Sequence, residues 1–133
     1  MSTLASRRGH LGSARRYAIA AIACALFALI YAQFSHGVHS PFMTFMFAIP
    51  LVGGVLPALG LAFAKARSLP NATRRAWALA IASLTLASCL RGIFDIAGTA
   101  SPFLIVYLAV AVAFSIAAFV TLVLHAGTDA TRA

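Results

Sequence analysis

Four apolar segments divide the chain, each close to the ~20 residues that a helix needs to cross a bilayer. The first is Tyr17–Phe34 and the second Phe42–Ala64. The third runs from Ala76 to Ala97 and carries Arg91 and Asp95 near its end. The fourth is Phe103–Leu124. In hydrocarbon every backbone amide and carbonyl must find its partner within the protein, so each segment is expected to be a helix. Composition agrees. Hydrophobic residues make up 62% and charged residues 9%, against about a quarter charged in soluble domains. So few charges cannot cover a water-facing surface. The expected fold is all-α: a polytopic membrane protein of four transmembrane helices (17–34, 42–64, 76–97, 103–124). A basic tail, 1–16, precedes them and a short tail, 125–133, follows.

A net charge of +8 raises the question of nucleic acid. The basic residues, however, lie in short clusters between apolar runs. Arg7, Arg8, Arg15 and Arg16 precede the first segment; Lys65, Arg67, Arg74 and Arg75 separate the second from the third. Residues 35–40 and 98–102 contain neither Lys nor Arg. The positive-inside rule then places both termini and the middle loop in the cytoplasm of a bacterial inner-membrane protein. The partners expected are the lipid bilayer and a second copy or a larger membrane complex, and not nucleic acid. The sequon Asn71-Ala72-Thr73 falls on the cytoplasmic side and is discounted. SRRGHLG, 6–12, resembles a twin-arginine export signal. Arg15 and Arg16 intervene before the apolar run and no Ala-x-Ala site closes it, so an uncleaved first helix is expected.

The second segment differs from the others. Pro50 and Pro57 flank Gly53 and Gly54. Each proline removes a helical hydrogen bond and favours a kink, while the glycines permit close approach of a neighbour. This is either a bent packing helix or a broken helix lining a cavity, as in transporters. Small-residue rows such as Ala21/Ala25 and Ala109/Ala113/Ala117 suit close helix packing, within the chain or between copies. Cys24 and Cys89 would differ in depth by about 9 Å, which argues against a disulfide.

An internal repeat organises the segments into two tandem helical hairpins. FSHGVHSPF, 34–42, aligns with FDIAGTASPF, 94–103, with one extra residue in the second copy. Gly37 pairs with Gly98, and Ser40-Pro41-Phe42 with Ser101-Pro102-Phe103. Ser before Pro is a good helix start, because Ser caps and Pro gives up an amide hydrogen that is unpaired there in any case. The copies differ where chemistry is possible: Ser35 and His36 face Asp95 and Ile96, and Tyr31 faces Arg91. His36 and Asp95 each lie about 28 Å from the inner end of their segment, near the outer interface. Arg91 and Asp95 share a helix face and can pair. His36, His39, Arg91, Asp95 and Tyr31, with Tyr107 as a further neighbour, form the candidate polar or ligand site. His36, His39 and Asp95 are the minimum for a transition metal, although Gly37 between the histidines suits a turn better than a rigid ligand helix. Haem would want histidines facing one another within the bundle, so no cofactor is expected.

FSHGVHSPFMTFMFAIPLVGG followed by GIFDIAGTASPFLIVYL resembles a group of small bacterial four-helix membrane proteins without an assigned activity. The resemblance spans the first helix to the fourth and implies an integral membrane protein of four helices. It implies no activity and no cofactor. Signatures of hydrolases, P-loop NTPases, zinc proteases and dithiol enzymes are absent. The chain also has no Glu, unlike the small multidrug exporters of similar size, which rely on one in their first helix. A non-enzymatic accessory or sensor-like module with an outward-facing polar site is expected, its ligand unidentified. The alternative is a small solute or ion transporter.

Overall fold

The computed structural model describes residues 2–64, 69–99 and 101–132. Lys65 and Arg67 of the middle loop lie outside the described residues. The described elements are all helical. Three are long: α1, Ser2–Phe34; α5, Asn71–Ala97; and α6, Leu104–Arg132. Within them Leu4–Phe34, Asn71–Ala97 and Leu104–Thr128 are long and apolar enough to cross a membrane. The second apolar segment is divided into α2, Pro41–Thr44; α3, Ala48–Pro50; a π turn, Leu51–Val55; and α4, Leu56–Phe63.

The expectation of one helix over 42–64 is therefore corrected to a broken segment. Its apolar helical part, Ala48–Phe63, rises only about 24 Å, less than the ~30 Å hydrocarbon core. The prolines supply the reason. Pro50 would crowd the Met46 carbonyl of a regular helix, and the chain instead makes a turn over 45–47. There Ala48 N–H donates to Phe45 O at 2.9 Å and Ile49 N–H to Met46 O at 3.3 Å. Pro57 has no N–H to offer the Gly53 carbonyl four residues earlier. The Trp77 indole on α5 donates to that oxygen at 2.8 Å. Just before Pro57, Leu56 N–H bonds to Leu51 O, the wider spacing of a π turn.

The glycines of the break serve packing. A side chain at Gly54 would run into the Tyr17 ring, and one at Gly53 would meet Ile81. Thus α1 lies against one side of the π turn and α5 against the other. The bundle is two antiparallel pairs, α1 with the broken segment and α5 with α6, joined where α2, α3 and the π turn rest on α5.

The turns between partners follow the repeat. After α1 the chain reverses through His36 (φ 50°) and Gly37 (φ 90°), closed by Val38 N–H to Ser35 O at 3.0 Å. After α5 it reverses through Gly98 (φ 68°), with Thr99 N–H donating to Phe94 O at 3.0 Å. That pattern is a Schellman-type helix end, which favours glycine at the left-handed position. The aligned glycines of the two copies thus both adopt positive φ.

The interior is built from small side chains. Ala14, Ala21, Ala58, Ala62, Ala80, Ala87, Ala111 and Ala118 are buried, whereas Ile22, Phe119 and Leu124 are each more than 60% exposed. A soluble protein sorts its residues the other way. Small residues at helix contacts and large apolar ones facing outward are what lipid requires. Two hydroxyls in the apolar spans are satisfied within their own helices. Thr85 and Ser115 donate to the carbonyls of Ile81 (2.7 Å) and Ala111 (2.8 Å), and among the described residues no buried side-chain polar atom lacks a partner.

Candidate functional site

The residues singled out in the sequence are divided at the end of the bundle where both hairpins turn. Arg91 Nε lies 3.2 Å from Asp95 Oδ1, the expected pair one turn apart. The second carboxylate oxygen accepts from Ser40 Oγ at 2.9 Å. Ser40 stands at the N-cap of α2, but its hydroxyl caps nothing. Its repeat partner Ser101 does cap, accepting from Phe103 N–H at 3.4 Å. The carboxylate of the second hairpin has drawn away the capping hydroxyl of the first. The Arg91 guanidinium also lies over the Phe42 ring, 5.4 Å from its centroid, and Ser88 Oγ donates to Phe42 O at 2.8 Å. Arg91, Asp95, Ser88 and Ser40 thus form a tie between the two halves of the bundle.

The histidines are not in it. His36 Nδ1 lies 2.8 Å from Phe34 O; since a carbonyl can only accept, that nitrogen carries the hydrogen. His36 and His39 are both exposed. No three His, Cys, Asp or Glu side chains group as a metal site among the described residues. Tyr31 lies beside Phe27, ring centroids 6.0 Å apart, and Tyr107 is exposed on α6. Within the candidate site only Arg91 and Asp95 are joined, and the partner that completes them is Ser40.

The opposite, basic end holds a cavity of about 710 Å³. All four parts of the bundle wall it. From α1 come His10, Ser13, Arg16, Tyr17 and Ala20; from the broken segment Gly54, Pro57, Ala58 and Leu61. From α5 come Thr73, Arg74, Arg75, Trp77 and Ala78, and from α6 Ser115, Ala118, Phe119 and Leu122. Pro57, which leaves the Gly53 carbonyl without its helical donor, and Trp77, which supplies one, therefore also shape this space. Across the α5–α6 contact Thr73 and Thr121 share a hydrogen bond of 2.9 Å between their hydroxyls.

Reading residues 1–16 as a tail hid this cavity, because α1 begins at Ser2. The signal was present nonetheless. His10, Ser13, Tyr17 and Ala20 follow the three- and four-residue steps of one helix face, so the helical register runs unbroken from the polar stretch into the apolar one.

A pocket of this size is in the range of small-molecule sites, about 300–1,000 Å³. Its far wall is apolar and its rim carries guanidinium, imidazole, phenol and hydroxyl groups, so it can hold an amphiphile by both ends. No family model, curated protein or solved structure matches the chain.

Proposed function

We propose that the chain is a four-crossing protein of a bacterial inner membrane, both termini inside, acting as a non-enzymatic binding module. Its ligand is an amphiphile held in the cavity at the basic end. The cavity itself carries this reading, since every part of the bundle contributes to its wall. Both oxygens of the Asp95 carboxylate are engaged within the chain, by Arg91 and Ser40, and the cluster serves to hold the hairpins together. The π turn and α4 line the cavity, which also favours a second reading as a small transporter. Movement of a bound amphiphile between leaflets would distinguish a transporter from a static module.

Trp77 is the single tryptophan of the chain and lines the cavity, so its fluorescence reports occupancy. In nanodiscs, a brominated single-chain amphiphile should quench Trp77 with a saturable component. Ala20 and Ala78 line the cavity and are exposed to it. Ala20→Phe and Ala78→Phe should each remove more than half of that component. Quenching that is unchanged in both variants contradicts the reading.

A further inference from the structure

Resting on the reading of the cavity as a binding site, we infer that its occupant is an anionic phospholipid. Its phosphodiester sits among Arg16, Arg74 and Arg75, and its acyl region lies along the apolar wall.

Charge is the first ground. Three arginines, Arg16, Arg74 and Arg75, line the cavity, and no acidic residue is among its lining residues. Among the described residues the ion pair is Arg91–Asp95, and none of Arg16, Arg74 and Arg75 takes part in one. Asp95 lies about 30 Å from Arg74 along α5. Among the described side chains, nothing balances this concentration of positive charge.

Backbone adds to it. The long helix α5 starts at Asn71, beside the cavity, with no acidic residue in its first turn and no side-chain cap. The positive end of its dipole therefore lies at the same end of the helix as Arg74 and Arg75, and a helix start favours phosphate.

Shape then selects the class of phosphate. A free ion would occupy a small part of 710 Å³. The remaining surface, formed by Ala58, Leu61, Phe119 and Leu122 among others, is apolar and would be left wet by a small polar ligand. An acyl chain covers it. With the basic end at the cytoplasmic leaflet, the cavity also stands where anionic lipid is concentrated and where basic pockets between helices bind its headgroups.

The test compares phosphatidylglycerol with phosphatidylcholine, brominated at the same chain positions, as quenchers of Trp77 in nanodiscs of the full chain. Phosphatidylglycerol should bind at least about fivefold more tightly, a total of about 1 kcal/mol, which is what a single basic residue near the surface contributes. Arg74→Gln with Arg75→Gln should bring the ratio near one. Arg7→Gln with Arg8→Gln removes the same charge outside the cavity and should leave the ratio unchanged. All four arginines are exposed, so neither pair of substitutions disturbs the core. An equal fall in both double variants would make the preference a general surface effect and overturn the inference. Displacement of the lipid by glycerol phosphate alone would assign the site to a soluble phosphate ester and overturn it as well. Equal quenching by the two lipids that still falls with Ala20→Phe would overturn the headgroup assignment while leaving the cavity reading intact. Quenching indifferent to Ala20→Phe would remove both.

Discussion

Gly92→Leu is expected to separate the two helical pairs. A Cβ at Gly92 would stand 2.8 Å from Met43 Cβ, 3.0 Å from its backbone N and 3.1 Å from its Cα. Backbone atoms cannot swing aside as a long side chain can, so α2 would have to move off α5. Two cross-bundle hydrogen bonds sit on either side of that contact: Ser88 to the Phe42 carbonyl and Ser40 to Asp95. Overpacking typically costs about 1–3 kcal/mol, and each hydrogen bond lost adds about 1 kcal/mol. A loss of roughly 3–5 kcal/mol is expected on those grounds, measured by reversible unfolding in mixed micelles. Stability within about 1 kcal/mol of the parent, on the scale of a single hydrogen bond, would show that the joint at Met43 does not hold the halves together.

Gly54→Val should act at the other joint and also on binding. A side chain here would collide with the Cβ, Cγ and Cδ1 atoms of Tyr17, so rotation of the ring alone does not make room. The first pair would be pushed apart beside the π turn, at a cost of about 2–3 kcal/mol by the overpacking range. Gly54 and Tyr17 both line the cavity, so the saturable quenching of Trp77 should fall with stability. Gly60→Val is the control: Gly60 lies on the same segment with open space around it and should change neither quantity. If Gly54→Val leaves both stability and quenching as they were, α1 does not close the cavity.

These two glycines show where sequence reading reaches its limit. The apolar segments were legible because their length and lack of charge admit few conformations. The break at Pro50 and Pro57 was legible as a break, since proline removes bonds wherever it stands. How the chain repairs the break was not. The Gly53 carbonyl is satisfied by Trp77, a residue in another helix, and only the packed bundle brings the two together. The Arg91–Asp95 pair was legible because it is local. Its completion by Ser40 was not, because Ser40 reads equally well as a cap and only the second hairpin diverts it. The histidines were expected beside Asp95 on the strength of matched depth. Depth says nothing about direction, and the reversal through His36 and Gly37 leaves both rings exposed. The basic cavity was missed because arginines ahead of an apolar run read as topology signal. They are that, but Arg16 lies on a continuing helix and lines the cavity as well.

The account stands on the broken segment crossing the membrane, since only then do α1 and α5 run in the same direction and bring Arg16 to the same end as Arg74 and Arg75. Cysteine accessibility tests this most directly, in a chain whose own Cys24 and Cys89 are replaced by alanine. A cysteine at His39 should react with a membrane-impermeant maleimide in intact cells. A cysteine at Ala72 should react only once the membrane is opened. Labelling of both from the same side would contradict the crossing and dissolve the cavity's claim to a membrane ligand.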